Sequence, residues 1–206
     1  MDVREALLKA AVKVFAEVGS RGATTRRIAQ EADVNEVTLF RHFQSKDELM
    51  VAALQHFAQQ AALTDLPEDP IDPAAELTVW CRDHFRELYK VRALIRKTMS
   101  EYEEHPERCA HGMKVSIRVA NALSDYVRAL RRKGLASNEF DERAATSMLM
   151  GAIFSDAMCR DQMPERYPYS MRDAVEQYVK LFLTAIGVHA RTGAAAPSPS
   201  PQSSTP

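Results

Sequence analysis

The sequence predicts an all-α protein of about nine helices, a short N-terminal helix-turn-helix unit followed by a larger helical unit. Three observations carry this expectation. Only seven of the 206 residues are glycine, and Ala, Leu, Arg, Glu and Met, all good helix formers, are abundant. Apolar residues recur at helical spacing through most of the chain, while no stretch alternates like a strand over a useful length. Capping residues, prolines and glycines interrupt the pattern at intervals suited to helix ends.

The first helix shows Leu7, Ala11, Val14 and Val18 on one stripe, widened by Ala10 and Phe15, with Lys9, Lys13 and Glu17 opposite. Gly19 and Gly22 end it. Thr24 and Thr25 cap a short second helix through Ile28, Ala29 and Ala32. Asp33 and Val34 make a tight turn, and Asn35 caps a third short helix through Thr38, Leu39 and Phe43. Ser45 and Glu48 have capping-box spacing and open a fourth helix through Leu49, Ala53 and Phe57.

Residues 64–70 form a connector. Asp72 and Pro73 then suit the N-cap and first turn of a helix through Trp80, Phe85 and Leu88. A separate helix is expected from about Ala93 to His105, before Pro106, and another from about Glu107 to Lys133, closed by Gly134. Residues 139–163 make a further helix cut off by Pro164, and Ser170 opens the last. The uncharged Ala, Pro and Ser tail is expected to be disordered, because it lacks the apolar surface to offset its ordering entropy. The expected division is residues 1–46, 47–188 and a tail at 189–206.

A formal charge of −1 means that any basic surface must be local. No apolar run approaches the roughly 18 residues that span a bilayer, and the start has no apolar signal core, so no membrane role and a cytoplasmic location are expected. Cys81, Cys109 and Cys159 show no metal or redox spacing and read as small core residues of a reducing compartment. His105 and Cys109 are four apart beside Glu103, Glu104 and His111, but Pro106 breaks the helix between them, so no metal and no cofactor are expected.

Two short helices joined by a tight turn and braced by a first helix are the architecture that sets one helix in the DNA major groove. Thr25 and Arg26 open the second helix, where backbone N–H groups attract phosphate. Arg41, His42 and Lys46 follow around the end of the third helix, placed to grip the backbone. Asp33 suits the turn because Asp tolerates the left-handed conformation better than most residues.

The stretch Gly22-Ala23-Thr24-Thr25-Arg26-Arg27-Ile28-Ala29, then Ala32-Asp33-Val34, then Thr38-Leu39-Phe40-Arg41-His42-Phe43-Gln44-Ser45-Lys46 resembles the N-terminal domain of the tetracycline-repressor (TetR) family. The resemblance spans about the first 55 residues. It implies phosphate contacts, or support for them, from Thr25, Thr38, His42 and Lys46, and base approach by Arg26, Glu36 and Val37. Glu36 either accepts from cytosine N4 or repels wrong sites. His42 alternatively bridges helices, and Arg21 and Arg27 read as solvated charges. Two positions depart from the family's pattern: Asp33 replaces its turn glycine, and Phe40 its tyrosine. The second change removes a hydroxyl that often bonds phosphate, which Arg41 offsets.

For the rest of the chain the resemblance implies an effector-binding and dimerisation domain. The helices at residues 139–163 and 170–188 pair with those of a second copy, through Ala145, Met148, Leu149, Ala152 and Ile153 and through Val175, Tyr178, Leu181, Phe182 and Ala185. Trp80, His84, Phe85, Tyr89, Met99, Tyr102, Met113, Phe154 and Met158 are candidates to line an apolar effector pocket, or else belong to the core. No catalytic fingerprint appears, so an enzyme is not expected. The expectation is a dimeric regulator of double-stranded DNA, most simply a repressor released by a small hydrophobic effector. The alternative is a helix-turn-helix regulator that senses no small molecule.

Overall fold

A computed structural model of the chain describes residues 2–59 and 64–188. The tail at 189–206 lies outside the described residues. Among the described residues there are eight helices and no strand: α1 (Val3–Gly22), α2 (Thr25–Glu31), α3 (Glu36–His42), α4 (Lys46–Gln59), α5 (Pro73–Ser100), α6 (Pro106–Arg132), α7 (Glu142–Cys159) and α8 (Met171–Ala185).

Most ends follow local chemistry. Thr24, Asn35, Asp72 and Ser170 each accept a hydrogen bond from a backbone N–H of the following first turn. Glu48 N–H donates to Ser45 Oγ at 3.1 Å, while the Glu48 carboxylate reaches back to Gln44 N–H at 2.8 Å. Gly134, at φ 68°, follows the end of α6, and Leu135 N–H returns to Leu130 O at 2.9 Å.

Two expectations are corrected. No break separates Leu88 from Ala93: α5 runs continuously over 28 residues, because Tyr89-Lys90-Val91-Arg92 contains neither glycine nor proline. That accounts for eight helices rather than nine. The expected helix over 139–163 is shorter at both ends. Asp141 caps it from outside, accepting from Ala144 N–H at 2.7 Å, and residues 160–162 turn away. In that turn Asp161 meets Arg96 and Arg92 of α5, whose hydrogen bonds hold its carboxyl well below the usual carboxylate range.

Two apolar cores result. The N-terminal core joins Leu7, Leu8, Ala11, Val14 and Phe15 of α1 to Ile28, Leu39 and Phe43, and takes Leu49, Met50, Ala53 and Leu54 from α4 and Leu94 from α5. The C-terminal core is built from α5 to α8, with Leu77, Phe85, Leu123, Val127, Leu130, Ile153, Val175 and Phe182 fully enclosed. Each such leucine, valine, isoleucine or phenylalanine contributes roughly 1.5–3 kcal/mol of burial. Helix α4 packs against both α1 and α6, and α5 against α1, so the cores share a long seam.

The C-terminal core also encloses His84, stacked on Trp80 with ring centroids 5.7 Å apart. Its Nδ1 has no hydrogen-bond partner among the described residues, and burial pushes the imidazole down to about 4. An unfolded histidine titrates near 6.5, so between those two values the unfolded chain binds a proton that the folded chain refuses. Stability is therefore complete above pH 6.5 and falls as the pH drops toward 4, by up to about 3 kcal/mol. Urea midpoints measured at pH 7.5, 6 and 5 check this: the decline is expected in the natural chain and largely absent in His84→Phe. An unchanged pH dependence in His84→Phe assigns the decline to other groups.

Candidate nucleic-acid interface

Helices α2 and α3 contribute few core residues, Ile28 and Ala29 from one and Leu39 from the other. Their mutual angle is set by the turn between them. Asp33 adopts φ 55°, the left-handed region where the family pattern has glycine. Around it Ala32 N–H bonds Ile28 O at 3.0 Å, Asp33 N–H bonds Gln30 O at 3.1 Å and Val34 N–H bonds Ala29 O at 3.0 Å. A direct bond between the helices adds to this, as Thr25 Oγ1 donates to Glu36 Oε1 at 2.5 Å.

The outward face of α3 is unusual for a surface helix. Val37 is 71% exposed and Phe40 49%. Both are flanked by exposed Arg41 and His42 in the last turn. Arg26, near the start of α2, is exposed too. Arg26, Arg41 and His42 have no hydrogen bond or ion pair among the described residues. Other nearby cations are already engaged: Lys13 with Glu31 at 2.6 Å, and Arg27 with Glu17 at 3.3 Å. A helix that shows water two large apolar side chains beside unpaired cations has the surface needed to meet both base edges and phosphates.

Other named residues sit differently. Thr38 Oγ1 donates to Asn35 Oδ1 at 2.9 Å, so it braces the start of α3. Glu36 is half-buried and held by Thr25, and a base contact from its carboxylate would first break that bond. Lys46 is half-buried and donates to Ser20 O at 2.8 Å, which leaves two of its three ammonium protons for another acceptor.

The nine candidate effector residues fall into two groups. Trp80, His84, Phe85 and Met158 are buried, and Tyr89 and Phe154 are half-buried against the C-terminal core. Met99, Tyr102 and Met113 instead lie exposed where α5 gives way to α6. Two surface grooves flank α6. One, of about 570 Å³, lies between α6 and α7 against Ser124, Arg128, Glu142 and Thr146. The other, of about 330 Å³, lies between α4 and α6 against Gln55, Lys114 and Arg118. None of the nine candidates lines either groove. Among the described residues no group of three His, Cys, Asp or Glu is placed to hold a metal, and no helix is long and apolar enough to cross a membrane.

A braced helix pair presenting its second helix to solvent, on a body that is helical throughout its described elements, has the architecture of a helix-turn-helix DNA-binding unit. Comparison with known proteins places it more closely. Residues 7–53 match the family described as "Bacterial regulatory proteins, tetR family". The HTH-type transcriptional regulator YvkB of Bacillus subtilis (strain 168), itself uncharacterized, is 25% identical over 169 residues, covering 78% of this chain and 84% of YvkB. The HTH-type transcriptional repressor Rv3405c of Mycobacterium tuberculosis (strain ATCC 25618 / H37Rv) is 38% identical over 71 residues, 34% of this chain and 38% of that repressor. The crystal structure of a TetR transcriptional regulator from Agrobacterium tumefaciens shares the fold at a TM-score of 0.74 and 21% identity, covering 90% of this chain and 94% of that one. Residues 7–53 thus match the tetR family of bacterial regulatory proteins, and the chain as a whole shares the fold of solved TetR regulators.

Proposed function

We propose that the chain is a repressor that binds a near-palindromic operator as a homodimer and is released by a small, hydrophobic effector. The observation that carries the DNA-binding part is the outward face of α3, where Val37, Phe40 and Arg41 are exposed, together with exposed Arg26 on α2, in a helix pair fixed by its turn. Support for the dimer comes from α7 and α8. Their apolar positions divide: Ala145, Leu149, Ile153, Val175 and Phe182 fill the core of this chain, whereas Met148 and Leu181 point outward, 52% and 66% exposed. Those two, with exposed Ala185 and half-buried Ala152 and Tyr178, leave a partly apolar face for a second copy.

The effector reading rests on Trp80, Phe85, Tyr89, Phe154 and Met158, which belong to or pack against one apolar core, and on His84, which stacks on Trp80 and whose buried Nδ1 has no hydrogen-bond partner among the described residues. An apolar molecule with one hydrogen-bonding group suits that chemistry. The second reading, a regulator that senses no small molecule, is favoured by one observation: both grooves beside α6 are lined largely by polar or charged side chains, and the candidate cluster itself is packed as core. Trp80, the only tryptophan, separates the two. Hydrophobic compounds that shift its fluorescence, raise Tm and release DNA support the first reading, and a screen yielding none supports the second.

Side-chain substitution tests the DNA-binding part. Arg26→Ala is expected to cost about 1–3 kcal/mol on the operator and much less on random duplex, since a guanidinium can pair with guanine O6 and N7. Lys46→Ala is expected to weaken all duplexes about equally and to lower the salt slope by about one unit per half-site. Fluorescence anisotropy at several salt concentrations reads both. Equal losses on operator and random DNA for Arg26→Ala would make Arg26 a phosphate clamp and leave base reading to α3.

A further inference from the structure

Between the two cores lies a polar knot that shares only Lys46 with the DNA-contact residues named above. Helix α1 is interrupted at Gly19, whose φ of 70° and ψ of −176° fall where essentially only glycine goes. A side chain there would also meet Lys97 of α5, as an added Cβ would lie 2.1 Å from Lys97 Cε. This interruption frees the backbone N–H and C=O of Ser20, and these two groups and the Ser20 hydroxyl bond to three different elements. Ser20 N–H donates to Glu101 Oε1 at 2.9 Å, just past the end of α5. Ser20 O accepts from Lys46 at 2.8 Å, at the start of α4, and Ser20 Oγ accepts from Arg108 at 2.9 Å, in the first turn of α6.

Arg108 is the centre of the knot. Its side chain is 1% exposed, yet carries a full charge. One nitrogen serves Ser20 Oγ and Glu101 Oε2, the latter at 3.0 Å, and another serves Asp47 Oδ1 at 2.9 Å. Its Nε has no hydrogen-bond partner among the described residues and lies 4.0 Å from the Glu107 carboxylate. One guanidinium thus ties together the ends of α1 and α5 and the starts of α4 and α6. A buried ion pair is weak support for stability, because desolvation cancels much of its attraction. What the planar fork of an arginine supplies is a fixed angle between its acceptors. Lys46 and Asp47 follow α3 by only a short link, so an angle fixed at the start of α4 is an angle fixed for the DNA-reading pair.

We propose that Arg108 is a positioning residue that sets the orientation of the α2–α3 reading head against the C-terminal helices, and through it the separation of the two heads in the dimer. The proposal rests on the reading above, that the chain binds DNA as a dimer. It predicts that the protein measures the distance between half-sites, and that this stringency passes through Arg108 and Asp47.

The test uses the full chain and the duplex it selects from a random pool, compared with a copy carrying one inserted base pair between the half-sites and with an isolated half-site. Arg108→Met is expected to reduce the preference for native over lengthened spacing by about five-fold or more, a typical coupling between sites, with half-site affinity unchanged. A merely structural loss would weaken the half-site as well. Asp47→Asn, at an exposed position, is expected to act in the same direction and keeps the test open if Arg108→Met does not fold. Arg108→Lys keeps the charge without the fork and is expected to restore only part of the stringency. A folded variant of either position with the natural spacing preference overturns the role of Arg108 while leaving the regulator reading intact. Failure of the natural chain to select any DNA overturns both.

Discussion

Replacing Met148 and Leu181 together by glutamate is expected to yield a folded monomer that binds the operator about 10²–10⁴-fold more weakly than the natural chain. Both side chains are largely exposed on α7 and α8, so charging them leaves the core of the single chain untouched. In a dimer the same positions meet their copies, and buried, unpaired carboxylates oppose association. Each reading head alone keeps its own contacts. What disappears is the effective concentration that one bound head gives the other. Light scattering and anisotropy on the same samples decide the matter. A double variant that remains dimeric with undiminished operator affinity places the subunit interface elsewhere.

The second large effect concerns stability. Asp156 of α7 is fully buried and accepts two hydrogen bonds from Arg160, both at 2.8 Å, and one from Tyr178 of α8, also at 2.8 Å. Burial, reinforced by that carboxylate, pushes the Tyr178 phenol above its usual range. Arg160 also lies over the Phe85 ring, 5.5 Å from its centroid, and donates to Tyr169 O, so the carboxylate sits where α5, α7, α8 and the 160–170 connection meet. Asp156→Ala leaves the largely buried guanidinium, 15% exposed, without its counter-charge and is expected to cost about 3 kcal/mol. The double variant Asp156→Ala, Arg160→Met removes both charges and is expected to recover much of that loss. Urea unfolding measures each. A loss below about 1 kcal/mol for Asp156→Ala would mean that solvent reaches Arg160 once the carboxylate is gone.

Local signals were the legible part of this chain. Thr24, Asn35, Asp72 and Ser170 announce helix starts because a short polar side chain beside a free N–H acts within one turn, and the structure places all four as caps. The left-handed turn at Asp33 is readable for the same reason. What proved illegible depends on distance along the chain or on direction around a helix. Arg108 and Ser20 are 88 residues apart, and nothing in the spacing of either announces the bond. The Thr25–Glu36 bond joins positions that each look like a DNA contact when read alone. A stripe such as Ala145, Met148, Leu149, Ala152 and Ile153 covers more than one face of α7, and only packing divides it into inward Leu149 and outward Met148. The expected break near residue 90 fails for a different reason, because no residue there interrupts a helix.

Selection of bound duplexes from a random-sequence pool is the measurement that tests the central claim most directly. The fold and the exposed face of α3 predict enrichment of one near-palindromic site whose half-sites lie about 34–36 Å apart, one helical turn, or a multiple of it. The same selection with Arg26→Ala is expected to relax the sequence at particular positions rather than across the site. A pool that emerges without any enriched sequence, from protein shown to be folded and dimeric, contradicts the account.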